Sequence, residues 1–391
     1  MRLADVVERF EPDLLQRDEK RLTGDMQRAL RCWRHCRGAE APHLDCRCDA
    51  CLASARLPQA CGHRACPHCQ HDLVEAWLEQ QRSLRLPVDY FLLTFTLPAQ
   101  LRGLARCHPR DVFAALMQCA WKTLAQFGHN GRGVDLGATA VLHTHSRARD
   151  FHPHVHLVVP GGGGNPKTGR WKSKRRYLFN SRQLATVFRA KLLQRLRELG
   201  LKLPPNLPER WVAHCVCVGD GDKALGYLAR YLYRGVLSEH DILDANDGHV
   251  RFRYRDAKTG ALQTRRLPGA DFLWLLLSHL LPRGFRRSRN YGLTHHRRKI
   301  LLHRVQLMLH VIIPPAQPKV RRPVLCWRCG QPMRIRVVPR TFRIDVHTDS
   351  PAQTTRSAKV LTHPPAPVAN TLGDGREIAC ARFGKKPAQI G

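Results

Sequence analysis

Acidic residues are scarce in this 391-residue chain: 31 Asp and Glu stand against 65 Lys and Arg, a formal net charge of +34. None falls between Asp271 and Asp345. A field of that sign and spread suits a polyanion, most simply nucleic acid, with an anionic membrane surface as the rival. Apolar runs of membrane-spanning length are missing too. The longest candidates, residues 272–281 and 305–313, are too short, so no membrane is expected. The first ten residues carry Asp5 and Glu8 and no apolar signal core, so a cytoplasmic location is expected. A Gly-rich phosphate loop ending in Lys-Ser/Thr is absent, which argues against a nucleotide cofactor.

Histidine is present in an organised form. Residues 151–160 read Phe-His-Pro-His-Val-His-Leu-Val-Val-Pro and run into four glycines, Gly161 to Gly164. A period of two marks a strand with His152, His154 and His156 on one face and Val155, Leu157 and Val159 on the other. Stacked imidazoles backed by an apolar face suit a divalent cation. The preceding segment, residues 138–145, alternates likewise, and a turn through Ser146 to Asp150 folds it back as a hairpin. His143 and His145 then approach the same cluster.

Fifteen cysteines in a chain expected to be cytosolic point to metal ligation or buried thiols rather than disulfides. Cys48-x-x-Cys51 and Cys66-x-x-Cys69, fourteen residues apart, form two knuckles. Their four thiolates suit tetrahedral structural Zn²⁺, with Cys46, Cys61, His63 and His68 as spare ligands. A third knuckle, Cys326-x-x-Cys329, stands alone, with His347 and Cys380 as weak partners. Between the cysteines and the tail, strand-like runs at 90–98 and 211–218 alternate with helical patterns at 110–127 and 181–199. The fold class that follows is α+β, a central antiparallel sheet with flanking helices preceded by a small zinc-binding domain. Residues 314–323 read as a linker, and the Ser/Thr/Pro/Gly-rich tail from about 345 as disordered.

A second constellation spans residues 220–235, opened by Asp and closed by Gly235 as a helix should be. On a wheel, Leu225, Leu228 and Leu232 make an apolar stripe, while Tyr227 and Tyr231 share a different face with Lys223, Arg230 and Arg234. Phenols among cations suit a phosphate-rich ligand. Arg283, Arg286, Arg287 and Arg289, interleaved with Phe285 and Tyr291, fit charge pairing to a nucleic-acid backbone plus base stacking.

Four motifs together resemble the two-tyrosine rolling-circle transposases of the insertion-sequence-91 family, within the His-hydrophobic-His endonuclease group. They are Cys66-Pro67-His68-Cys69-Gln70, His152 to His156 running into Val159-Pro160-Gly161-Gly162, Tyr227-Leu228-Ala229-Arg230-Tyr231, and Leu281 to Arg286 with Tyr291-Gly292-Leu293. The resemblance implies a zinc-binding amino-terminal domain and a catalytic domain in which His154 and His156 bind Mg²⁺ or Mn²⁺, with a third ligand from His143, His145 or His152. In it Tyr227 and Tyr231 are nucleophiles toward single-stranded transposon ends, linking to a 5′ phosphate. The expected layout is a helical lead-in (1–36), a zinc domain (37–75), a catalytic domain (76–313) and a basic tail (314–391). Gly62-His63-Arg64-Ala65 departs from the family's Asn-Arg-His segment. Rival readings are a replication initiator or relaxase with the same chemistry, or a non-catalytic zinc-dependent DNA-binding protein.

Overall fold

A computed structural model describes residues 1–338 apart from 39–40, 68, 70, 166–167, 174–178, 234–235, 257–258 and 313–322. The expected tail, with His347 and Cys380, lies outside the described residues, as do most of the linker, His68 and Arg234.

Helices α1 (Leu3–Asp18) and α2 (Gly24–His35) open the chain, the second capped by Thr23, whose hydroxyl accepts from the Met26 amide at 3.3 Å. Strands β1 (His43–Arg47) and β2 (Ser54–Pro58) form an antiparallel hairpin, followed by α3 (His71–Arg82) and β3 (Tyr90–Thr96). Next come α4 (Arg102–Cys107) and the long α5 (Pro109–Arg132). Proline starts α5, and Gly133, at φ +62°, ends it in the left-handed conformation.

The expected hairpin forms as β4 (Gly137–His145) and β5 (Phe151–Pro160), and the short β6 (Gly162–Gly164) and β7 (Trp171–Ser173) pair after it. Then follow α6 (Ser181–Glu198), β8 (Ala213–Cys217) and α7 (Asp222–Tyr233). Strands β9 (Ile242–Asn246), β10 (His249–Arg255) and β11 (Leu262–Pro268) make a second sheet, leading to α8 (Gly269–Leu277), β12 (Ser288–Gly292), α9 (Lys299–Met308) and β13 (Arg334–Val338).

The centre is a five-stranded antiparallel sheet in the order β12-β4-β5-β3-β8. Period-two alternation gives it two apolar faces. Phe91, Leu93, Phe95, Val155, Leu157 and Val159 pack on α5 and α6 in the largest core. Tyr90, Val141 and Val158 meet Trp77 and Leu78 of α3 and Leu225, Leu228 and Leu232 of α7. The leucine stripe of α7 therefore docks it onto the sheet and turns its tyrosine face toward the histidines. The fold is α+β, as its alternating patterns require.

Two expectations change here. The opening helices are no free-standing lead-in: Val6, Val7, Phe10, Leu30 and Trp33 share a core with Phe252, Phe272 and Leu277 of β10 and α8. Nor are Phe285 and Tyr291, expected to stack on bases, free to do so. Phe285 is 5% exposed against Phe113, 6.0 Å away, and Tyr291 stacks on Trp121 at 5.3 Å. Both rings sit where β12 joins the sheet edge, so burial claims them.

Candidate active site and metal-binding cysteines

Pairing of β4 with β5 sets His143 opposite His154 and Val141 opposite His156. Opposed residues of an antiparallel pair share a face, so three imidazoles gather, with ring centres 4.4 to 5.0 Å apart. One ring nitrogen from each of His143, His154 and His156 lies within 4.8 Å of the others. The His154 Nδ1 donates to the His152 carbonyl at 2.7 Å, and the His156 Nδ1 hydrogen-bonds the Thr94 hydroxyl at 2.8 Å. Those contacts leave the two Nε2 atoms as ligands, the usual outer-sphere arrangement of metal-binding histidines. The Nε2 of His143 is buried without a hydrogen-bond partner, which a cation would supply. Burial, aided by mutual repulsion, depresses the imidazoles: His143 well below its ordinary value, His154 to about 4 and His156 to about 3. Neutral at physiological pH, they fit a divalent ion.

Of the three candidates for the third ligand, the geometry brings in His143. A register shift between His143 and His145 turns His145 away, toward Tyr231 at 4.7 Å and His279 at 5.3 Å. His152 as a metal ligand is corrected: its Nδ1 accepts from Arg102 at 2.6 Å, and it stands outside the cluster.

Helix α7 is anchored at both ends. Asp222, in its first turn, accepts from Arg82 at 2.9 Å and Arg85 at 3.1 Å. Before it, Gly221 holds φ +80°, and a Cβ there would come within 2.7 Å of the Tyr90 ring. At the other end the Arg287 guanidinium donates to the carbonyls of Leu232 (3.2 Å) and Tyr231 (3.5 Å), which lack partners inside the helix. Arg287, expected on DNA, is thus occupied in holding the helix, because those carbonyls attract a cation.

Between the anchors, Tyr227 is 46% exposed, its ring 6.0 Å from His143 and 6.3 Å from His156. Tyr231, one turn on, stacks flat on His143 at 3.3 Å, and its hydroxyl accepts from the amides of Thr144 (2.8 Å) and His145 (3.4 Å). Burial raises its pKa, with Arg287 and the two amides opposing. Lys223, Arg230, Arg283 and Arg286 are exposed, while Arg289 lies over the Phe285 ring at 5.1 Å.

The cysteines do not form one Cys48–Cys51–Cys66–Cys69 site. Cys66 and Cys69 gather with Cys36 and Cys61, and Cys48 and Cys51 with Cys326 and Cys329. The hairpin of β1 and β2 is the reason: Cys48 and Cys51 lie in its turn, whereas Cys66 and Cys69 come after it, beside the residue that ends α2. Cys36 went unnoticed in the sequence. Its signal was a cysteine at the end of a helix just before the first knuckle. Cys46 belongs to neither group and is buried at 1% exposure.

Two family models match: "Transposase zinc-binding domain" over residues 6–97 and "Putative transposase" over residues 137–300. Over 271 residues the chain is 32% identical to "Putative transposase y4qJ" of Sinorhizobium fredii, covering 63% of this chain and 68% of the relative. The chain belongs to the insertion-sequence-91 family of transposases. A second relative, the "Transposase for insertion sequence element IS801" of Pseudomonas savastanoi, is 31% identical over 277 residues, 64% of this chain and 65% of the relative, just under two thirds of its length. Among solved structures, a conjugative relaxase TrwC bound to oriT DNA matches 57% of this chain and 71% of its own at 16% identity. Its TM-score of 0.26 is too loose a likeness to argue from. As a transposase the protein acts on DNA, and its amino-terminal region is a zinc-binding domain. No helix among the described residues is long and apolar enough to cross a membrane.

Proposed function

We propose that this transposase nicks and rejoins single-stranded DNA at the ends of its element through a covalent 5′-phosphotyrosine intermediate. One observation carries the reading: two phenols, one turn apart on α7, lie over a cluster of three neutral imidazoles on β4 and β5. His143, His154 and His156 would hold Mg²⁺ or Mn²⁺, which when bound supplies Lewis-acid polarisation of the scissile phosphate.

Tyr227 is the first nucleophile, since it is exposed where a DNA backbone can reach it. Its oxygen loses a proton and bonds to phosphorus while the P–O3′ bond breaks. The departing oxygen takes up a proton as a free 3′ hydroxyl, and the 5′ phosphate stays on Tyr227. One phosphodiester is exchanged for another, so its energy is kept in the Tyr227 link and rejoining by a 3′ hydroxyl needs no nucleotide cofactor. Tyr231 acts second. Its hydroxyl is engaged by the amides of Thr144 and His145, and burial disfavours its phenolate, so it must be freed before attacking another strand. Lys223, Arg230, Arg283 and Arg286, with Arg234 and Arg289, supply the cationic track for a single strand.

The test incubates the full chain with single-stranded oligonucleotides carrying the element's ends, and with their duplexes, in Mg²⁺ or Mn²⁺. A denaturation-resistant protein–DNA species should form on the single strands. It should be lost in the Tyr227→Phe/Tyr231→Phe double variant and in His154→Ala. Cleavage without an adduct, or an adduct surviving the double variant, contradicts the proposal.

A further inference from the structure

We propose that Cys48, Cys51, Cys326 and Cys329 bind a second structural zinc ion, separate from the Cys36 cluster, that closes residues 323–338 onto the amino-terminal hairpin. The zinc-domain match ends at residue 97 and leaves Cys326 and Cys329 unassigned. Three observations carry the assignment.

The first is proximity without a disulfide. Cys48 and Cys329 sulfurs stand 3.4 Å apart, Cys51 and Cys326 sulfurs 3.5 Å, and all four thiols are free and within 4.8 Å of one another. Sulfurs bound to one tetrahedral zinc at ~2.3 Å each lie roughly 3.8 Å apart. Chain separations of 281 and 275 residues make the grouping no accident of local spacing.

The second is that the two segments are the same turn built twice. Leu52 N–H donates to the Cys48 carbonyl at 3.0 Å, and Gly330 N–H to the Cys326 carbonyl at 2.8 Å. Cys48 N–H reaches the Ala53 carbonyl at 2.9 Å, and Cys326 N–H the Gln331 carbonyl at 2.8 Å. The residue after each second cysteine has positive φ, +58° at Leu52 and +73° at Gly330. Glycine takes that conformation freely, but leucine is strained in it. Leu52 is 68% exposed, so burial of its own side chain does not offset the strain. The turn is held for its sulfurs. The Arg328 amide already donates to Cys326 Sγ at 3.4 Å, as amides do toward metal-bound thiolates.

The third is how little packing joins the two segments besides backbone pairing and the exposed Arg334–Asp49 ion pair. Strand β1 lies between β2 and β13, in register from His43 opposite Val338 to Arg47 opposite Arg334. Beneath this small sheet the buried residues are Cys46, Cys48, Cys326 and Met333. So slight a core needs a metal staple to fix its shape. Zinc there makes residues 43–58 and 323–338 one module, with the central sheet encoded between its halves.

The test uses the full chain, purified with zinc and dialysed. Metal analysis should find one zinc equivalent fewer in Cys326→Ser/Cys329→Ser than in wild type, and one fewer in Cys61→Ser/Cys66→Ser. Because a variant can misfold, wild type is also alkylated without denaturant and each cysteine read by mass spectrometry. Cys329, although exposed, should stay unlabelled with Cys48, Cys51 and Cys326 until a chelator is added, whereas exposed Cys217 labels at once. Equal zinc content in wild type and Cys326→Ser/Cys329→Ser, or immediate labelling of Cys329 in the zinc-loaded chain, overturns the proposal.

Discussion

The histidine–tyrosine centre and the cysteine region both gather metal-ready side chains, but they are held in opposite ways. The histidines sit on paired strands of a sheet whose two faces are packed, so an apolar core fixes their geometry in advance. Cys48, Cys51, Cys326 and Cys329 sit under a three-stranded sheet with four buried residues below it among the described residues. In the first region, on the proposed function, the fold positions the metal's ligands. In the second, on the proposal above, the metal positions the fold. Removing metal should therefore silence the first region while leaving its structure, and unfold the second.

The widest contrast to test is between the chemistry and the clasp. Tyr227→Phe/Tyr231→Phe should lower adduct formation by ~10³-fold or more, with the melting temperature falling only by what loss of the Tyr231 hydroxyl's bonds to the Thr144 and His145 amides costs. Cys326→Ser/Cys329→Ser should do the reverse, detaching β13, as protease sensitivity of residues 323–338 would report, while the adduct forms on short oligonucleotides within ~10-fold of wild type. Equal damage to chemistry in both variants would erase the distinction. A smaller effect is expected at His143→Ala, a loss on the order of 10²-fold in adduct yield that is partly recovered at higher Mn²⁺, followed by titrating the metal. Smaller again is Thr94→Val, which removes the partner of His156 Nδ1 and should weaken metal affinity by ~10-fold, leaving yield at saturating Mn²⁺ near wild type.

Acid provides a further separation. Burial lowers His279 from 6.5 to about 4, so in the folded protein it stays neutral across an interval in which the unfolded chain takes up a proton. The stability tied to that difference is present above pH 6.5 and is lost as pH falls from 6.5 toward 4. In chelated protein, melting temperature should drop over that interval, and His279→Phe should flatten the slope. The mildest change is Arg287→Lys. It should cost about 1–2 kcal/mol by weakening the guanidinium's hold on the Tyr231 and Leu232 carbonyls, measured by denaturant unfolding.

What the sequence revealed follows the same division. Alternation named the hairpin of β4 and β5, and the leucine stripe of α7 gave the face that docks, because both patterns are local and set by burial. It could not separate His143 from His145, since the bulge between them leaves no mark in the alternation. Nor did composition reveal that Phe285 and Tyr291 are core rings, because an edge strand joining a distant sheet reads like an aromatic-studded basic loop. Knuckle spacing identified three of the four cysteine pairs' elements but not who pairs with whom. Cys48 and Cys51 find their partners 281 and 275 residues further along the chain, and Cys36 is contributed by a helix end. Contacts across such separations are decided by tertiary packing, which no spacing rule encodes.

The most direct measurement traps the wild-type protein on a single-stranded end oligonucleotide in Mn²⁺, digests both DNA and protein, and finds the residual nucleotide by mass spectrometry. Trypsin separates the phenols cleanly, since Lys223 and Arg230 bracket Tyr227 while Tyr231 begins the next peptide. The nucleotide should sit on the peptide of residues 224–230 through Tyr227. Cut DNA with no tyrosine-bound nucleotide would contradict the account.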